Sequence, residues 1–306
     1  MTLFDSGYLP QGLALHTSME RHAGDYCLWI LCMDEVAFDV LSELDLNRVR
    51  LLALEDWETP ELLTVKEGRT VGEYCWTLTP FAPRFVFEAD SSVQRVTYVD
   101  ADLWFRKNPQ PIFRELEESG KSVLITDHYY APEYDYSEAS GRFCVQFMPF
   151  VRDASEPVRK WWEERCVEWC FARHEDGKFG DQKYLDDWPE RFGPLVHVLQ
   201  DQELLLAPWN MTRFPIGKSV AFHFHGVRVG TTRVAIIPGY VAPRKLHQDL
   251  FQIYFNDIKA GLRELREVGF EHQSQLRRGH WLRKTWHNLK ALIRLAWPRS
   301  AEAKLD

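Results

Sequence analysis

Apolar and polar positions follow two periods along this chain, and the switches between them predict the order of elements. Apolar runs of strand length span Thr2 to Asp5, Tyr26 to Met33, Val49 to Leu54, Val96 to Val99 and Ser122 to Thr126. Between them, apolar residues recur every three or four positions over Leu9 to Met19, Val36 to Leu44, Glu61 to Lys66 and Ile112 to Glu118. Glu73 to Phe87 carries the same pattern, broken by Pro80 and Pro83. Phe143 to Val151 reads as a further strand and the Trp-rich Ala154 to Phe171 as a long helix. Asp181 is placed as the N-cap of a helix running to Trp188. Strands alternating with helices predict an α/β fold, with a Rossmann-like mixed, mainly parallel sheet flanked by helices. This domain is assigned to residues 1–245, with Pro243 near its end, and residues 246–306 to a helical C-terminal extension.

Composition adds bounds. With 306 residues, 45% of them hydrophobic, the chain can bury one large core or two smaller ones. No apolar run approaches the roughly 20 residues that span a bilayer, and no signal peptide is visible at the N-terminus. The six cysteines (Cys27, Cys32, Cys75, Cys144, Cys166 and Cys170) lack zinc-ligand spacing, so they read as free thiols in a reducing cytoplasm.

Three constellations carry chemistry. The strand Val96 to Val99 runs into Asp100-Ala101-Asp102, followed at once by Leu103-Trp104-Phe105. Side chains alternate along a strand, so the two carboxylates can face one way. Two hard oxygen donors on one side suit Mg²⁺ or Mn²⁺ holding phosphates. Phosphohydrolases that attack phosphate with the first of two such acids place Gly-Thr after the second, which Leu103-Trp104 does not match. In Phe222-His223-Phe224-His225-Gly226, alternation puts His223 and His225 on one face, as metal ligands or as hydrogen-bonded core histidines. In Gly180-Asp181-Gln182, a carboxylate and an amide open a helix after a glycine, a place suited to a sugar or a phosphate.

Together these residues resemble the retaining glycosyltransferases of family 8 and their bacterial relatives, over roughly residues 1 to 230. The resemblance implies the GT-A (nucleotide-diphospho-sugar transferase) fold. It implies a metal site of Asp100, Asp102 and His223, a nucleotide held by Asp5 and Tyr8 of Phe4-Asp5-Ser6-Gly7-Tyr8, and Asp181 and Gln182 beside the anomeric carbon. Asp127 would sit on the donor-sugar hydroxyls. The implied cofactor is Mn²⁺ or Mg²⁺. The implied donor is a nucleotide-diphosphate sugar, a UDP-sugar first among them, and the acceptor a glycan or lipid-linked sugar. Four positions depart from the family pattern. Trp76 stands where an arginine is usual, leaving Lys66 or Arg69 to reach the donor. Cys144 replaces an asparagine, and Gln146 a glycine. The lysine usual after Gly226 is absent, with Arg228 nearby to serve the diphosphate. These departures also admit a non-catalytic nucleotide-sugar or glycan-binding relative. A sugar nucleotidyltransferase would need a glycine-rich basic loop after the first strand, which Ser6-Gly7-Tyr8-Leu9-Pro10 does not supply.

The C-terminal stretch changes the picture once more. Residues 273–306 hold eight basic residues against two acids in a chain of net charge −8. Within 276–297, Leu282, Trp286, Leu289, Ile293 and Trp297 form one helical stripe with Arg283, Lys284, His287, Lys290 and Arg294 largely on other faces. This pattern suits an anionic membrane surface, or packing on the chain's own domain or a second subunit. The acidic body argues against nucleic acid. The expectation is a cytoplasmic glycosyltransferase of bacterial surface polysaccharide synthesis, peripheral on the inner face of the membrane.

Overall fold

The computed structural model describes residues 1–231, 233–236, 239–240, 250–276 and 303–304. Its first sheet is parallel: β1 (Thr2–Phe4), β2 (Leu28–Cys32) and β3 (Val49–Ala53), with Leu3 opposite Leu31 and Ile30 opposite Leu51. The second sheet has β4 (Arg95–Val99) antiparallel to β8 (Phe147–Val151). β8 is antiparallel to β6 (Val123–Asp127), and β6 is parallel to β9 (Val196–Val198). Main-chain bonds join the two sheets in parallel sense, Met1 N to Thr97 O at 2.6 Å and Val99 N to Met1 O at 2.9 Å. β4 therefore lies centrally, with its carboxyl end where such sheets bind ligands.

Alternation along the buried strands builds two core layers. Leu28, Ile30 and Cys32 point to one side, with Phe4, Val99, Leu124 and Phe147. Trp29 and Leu31 point to the other, with Leu3, Val96, Tyr98, Val123 and Phe150. The first layer is closed by α1 (Leu9–His22), α2 (Glu35–Leu44), α6 (Gln110–Ser119) and α10 (Gln252–Glu267). The second is closed by α3 (Pro60–Lys66), α4 (Val71–Leu78), α5 (Ala82–Ala89) and α8 (Glu156–Glu168). Each fully buried Leu or Phe in these layers contributes about 1.5–3 kcal/mol. Asp34 fixes the start of α2 by accepting from Ala37 N at 2.7 Å, and its other oxygen takes the Ser6 N–H and hydroxyl, tying the loop after β1 to that helix. Thr70 and Glu73 form a capping box on α4.

Several elements differ from the sequence pattern. The Glu73 to Phe87 stretch is two helices, because Pro80 and Pro83 stop one and start the next. The run Phe143 to Val151 splits. β7 (Phe143–Cys144) pairs with β6 and β8 pairs with β4, so the chain steps between strands at Val145-Gln146. The helix assigned to Asp181–Trp188 is a 3₁₀ turn over Gln182–Asp187 leading into the short α9 (Trp188–Arg191). Asp181 makes no side-chain cap there. The periodicity did not mark β5 (Leu103–Phe105). This strand pairs antiparallel with β11 (Ala221–His223), which in turn runs parallel to β10 (Leu205–Leu206).

The expected domain boundary at 245 lies outside the described residues. So does nearly all of the basic amphipathic stretch 276–297, including Leu282, Arg283, Lys284, Trp286, Lys290 and Arg294. Among the described residues no helix is long and apolar enough to cross a membrane. The described part of the C-terminal region, α10, packs against α1 and shares its core.

Candidate active site

Strand pairing brings the chemistry together. Asp100 and Asp102 flank the turn between β4 and β5, where Leu103 N bonds Asp100 O at 3.0 Å. The β5–β11 register sets His223 opposite Leu103, and Phe224 N donates to Asp102 O at 2.9 Å. His223 therefore arrives beside Asp102 although 121 positions separate them. Its Nε2 lies 2.9 Å from Asp102 Oδ1 and 3.6 Å from Asp100 Oδ2. One ligand atom from each residue can be chosen so that all three lie within 4.8 Å of one another. The three side chains are only 20, 13 and 7% exposed, in the order Asp100, Asp102, His223.

Charge in this triad is crowded. Burial raises the Asp100 carboxyl, with the His223 charge opposing and Asp102 adding to the rise. Burial also pushes Asp102 up, but the charge and hydrogen bond of His223, with His225 and Arg228, outweigh it and hold Asp102 low. For His223 burial is the lowering influence, and the Asp102 carboxylate overcomes it and raises the imidazole well above its ordinary range. One imidazolium thus faces two carboxylates, with a third acid close behind. That third acid is Asp181, buried, with Oδ2 lacking any hydrogen-bond partner. Burial first, and then the Asp100 charge, push it up to about 7. Trp162 anchors this segment from below, its Nε1 donating to Asp181 O at 2.9 Å. Gly180 precedes it at φ +53, and a Cβ there would sit 3.3 Å from the Trp76 ring.

The donor set fits a hard divalent ion. Ligand oxygens and nitrogens at about 2.1 Å from a metal stand about 3 Å apart when adjacent, close to the spacings from His223 Nε2 to the carboxylates. A cation there would also offset the burial and mutual repulsion that raise Asp100 and, behind it, Asp181.

The remaining sequence-derived residues divide into two groups. Tyr8 and Arg228 are neighbours of Asp102, and Asp5 adjoins Tyr8. Burial lifts the Tyr8 hydroxyl to about 12, with the Asp102 carboxylate next in effect and Arg228 opposing. Asp5 is raised by burial and then by Asp34, and its Oδ1 is buried without a hydrogen-bond partner. The others are engaged elsewhere. Gln182 gives its amide to Ser140 O at 2.7 Å. Asp127 accepts from Arg142 Nε at 2.6 Å and Tyr129 N at 2.7 Å. It lines a cleft of about 550 Å³ with Tyr130 and Arg213. Lys66 pairs with Glu58 at 2.7 Å. Arg69 donates to the Thr77 hydroxyl and, at 2.6 Å, to Val167 O. Lys66 and Arg69 therefore brace the α3–α4 segment and α8 rather than reach toward the triad. A larger cleft of about 840 Å³, lined by Arg84, Arg159 and Glu163 among others, shares no residue with the triad.

Sequence reasoning missed three supports. Gln146 Oε1 lies 3.0 Å from His223 Nδ1, Thr79 sits between Tyr98 and Asp181, and the Trp209 ring lies 5.3 Å from that of His223 and 5.7 Å from that of His225. Only Gln146 gave a signal, as a polar residue in an apolar run two positions from Cys144.

No family model matches the chain. Among curated proteins it is 31% identical over 232 residues to the uncharacterized protein YfnD of Bacillus subtilis (strain 168), covering 71% of this chain and 73% of YfnD. It is 35% identical over 217 residues to YfnF of the same strain, covering 68% of this chain and 71% of YfnF. Among solved structures it superposes on the galactosyltransferase LgtC in complex with donor and acceptor sugar analogs. The TM-score is 0.53 at 12% identity, over 92% of this chain and 98% of that one. On apo mouse xyloside xylosyltransferase 1 the TM-score is 0.51 at 16% identity, over 72% of this chain and 95% of that one. The sheet order, the turn after β4 and these superpositions give the chain the GT-A fold that those glycosyltransferases share, and by sequence it belongs to the family of YfnD and YfnF.

Proposed function

We propose that this protein is a metal-dependent glycosyltransferase that moves a sugar, with retention, from a nucleotide-diphosphate sugar to a glycan or lipid-linked acceptor in bacterial surface polysaccharide synthesis. One observation carries the reading: Asp100, Asp102 and His223 converge at the carboxyl end of the central strand in a GT-A fold. Those three would hold Mn²⁺ or Mg²⁺. When bound, the ion would supply positive charge for the diphosphate as it leaves. Arg228, near Tyr8 and Asp102, would neutralise phosphate oxygens from a second direction. The unpartnered Oδ1 of Asp5 would accept from the nucleotide base, with Tyr8 beside it. The unpartnered Oδ2 of Asp181 would face the positive character that develops at the anomeric carbon, and Gln182 follows it in the chain. Asp127 would meet sugar hydroxyls from the cleft it lines.

The second reading, a non-catalytic nucleotide-sugar or glycan-binding relative, draws on Trp76 over Gly180 and on the Gln182 amide already bound to Ser140. One experiment separates the two. A panel of nucleotide sugars, UDP-sugars first, is incubated with the protein and MnCl₂ or EDTA, and free nucleoside diphosphate is measured. Release that needs Mn²⁺ and vanishes in Asp102→Ala supports the enzyme. Binding without release supports the relative, and turnover that persists in Asp102→Ala refutes the metal site. Work on the inner membrane face is proposed from the amphipathic, basic sequence of the tail. Pelleting with anionic liposomes that is unchanged after removal of residues 273–306 refutes it.

A further inference from the structure

We infer that Gln146 is the positioning residue of this metal site, fixing the His223 ring so that Nε2 faces the two carboxylates and pinning the Asp100 main chain. The inference rests on the reading of Asp100, Asp102 and His223 as ligands. Gln146 is 1% exposed and lies where the chain steps from β7 to β8. Its carbonyl accepts the Asp100 N–H at 3.2 Å, and its side-chain Oε1 lies 3.0 Å from His223 Nδ1. A single residue therefore holds both separated parts of the ligand set.

The chemistry of the ring decides what this contact does. An amide oxygen only accepts, so Nδ1 must carry the proton in the contact with Oε1. The opposite nitrogen, Nε2, points at Asp102 and Asp100. Were a cation to replace the Nε2 proton, the Nδ1–H bond to Gln146 would persist and leave the Nε2 lone pair free to face it. Partners of this kind orient ligating histidines, and losing them costs about 10–100-fold in metal affinity. The buried His223 ring has carboxylates on one edge, packs against Trp209 and also shares a hydrogen bond with the Cys144 thiol, and Gln146 is the amide that faces its Nδ1. The sequence signal is the same residue: a polar side chain in Phe143-Cys144-Val145-Gln146-Phe147-Met148, where apolar burial alone would place none.

The test titrates MnCl₂ into wild type, Gln146→Leu and Gln146→Glu at pH 8, reading free Mn²⁺ by electron paramagnetic resonance, with melting in EDTA as the folding control. Gln146→Leu loses the acceptor and is expected to bind Mn²⁺ at least about tenfold more weakly while still melting cooperatively. Gln146→Glu keeps an acceptor for Nδ1–H and is expected to bind within about tenfold of wild type or tighter. A folded Gln146→Leu whose affinity changes less than tenfold overturns the inference while leaving the metal site standing. If Gln146→Leu does not fold, Gln146→Glu decides, and a tenfold or greater loss in it overturns the inference. Absence of Mn²⁺ binding by wild type overturns the metal reading itself, and this inference with it.

Discussion

Replacing Asp181 by Asn should make the metal-free protein more stable at alkaline pH while removing its activity. In an unfolded chain this carboxyl ionises near its ordinary value of 3.8. In the fold, burial and the nearby Asp100 charge hold it protonated up to about 7. Between those two values the native state binds a proton that the unfolded state has lost, so stability falls as pH rises through that window. Three units at about 1.4 kcal/mol each set a ceiling of about 4 kcal/mol, reached above pH 7. Between pH 5 and pH 8 the loss attributable to Asp181 is about 2–3 kcal/mol. Asparagine keeps the shape and cannot ionise, so the variant lacks this part of the slope. Its NH₂ takes the place of an unpartnered oxygen and shifts both pH values equally, leaving the difference clean. Urea denaturation in EDTA at pH 5 and pH 8, followed by tryptophan fluorescence, measures the effect. Equal pH dependence in the two proteins would refute the assignment of Asp181 as a buried acid held neutral by its neighbours. A variant that is stabilised and still transfers sugar would refute its place in the reaction instead.

Three further outcomes are expected. Saturating MnCl₂ at about 100 times its Kd should stabilise wild type by about 2.7 kcal/mol in a thermal melt, and Asp102→Ala should lose that gain; an equal shift in both proteins removes Asp102 from the site. Glu163, which burial raises to about 7 against the opposing Arg84 and Arg159, should cost up to about 3 kcal/mol as pH rises from 4.5 to 7. Glu163→Gln should flatten that part of the urea-measured slope, and an unchanged slope refutes the raised acid. Arg21→Ala should destabilise by about 1–3 kcal/mol in urea, because it strips the partly exposed guanidinium from buried Asp257 and leaves Trp104 Nε1 as the donor at 2.7 Å; a loss below about 0.5 kcal/mol would show that this pair is no more than a surface contact.

Sequence and structure part company at identifiable places, and the reasons are physical. Strands β1, β2, β4 and β6 were legible because their apolar runs are dense and mostly buried, and β3 because its apolar residues cluster even though Arg50 is exposed. β11 was legible as the short apolar strand that carries the histidines, but β5, three residues directly after the acidic turn, was not, since length and alternation cannot separate it from that turn. Yet these short strands decide the chemistry, since their register is what carries His223 to Asp102. The acids and the histidine were readable as residue types with a purpose, because neither belongs in a buried strand end without a partner. What could not be read was the local use of polar side chains. Gln182 looked free to address a sugar but serves Ser140, and Lys66 and Arg69 looked like spare cations but brace helices. Asp181 looked like a cap, and its side chain instead lies buried toward Asp100 with one oxygen unpaired. Alternation predicts which residues share a face, but not which neighbour from a distant strand will claim a polar atom. The departures Trp76, Cys144 and Gln146 follow the same logic. Each alters the site through a contact made across elements: Trp76 over the Gly180 backbone, and Cys144 and Gln146 against the His223 ring. On the proposed function, an indole and a thiol in place of an arginine and an asparagine, and a bound amide in place of a glycine, would change the surface a donor sugar meets, while the triad at the strand end keeps its charges. Cys144 and Gln146 touch a proposed metal ligand and would affect both metal binding and sugar choice, whereas Trp76 lies against Gly180. On the proposed function, Trp76→Ala is therefore expected to change the order of nucleotide-sugar turnover while its Mn²⁺ affinity, read by electron paramagnetic resonance, stays that of wild type.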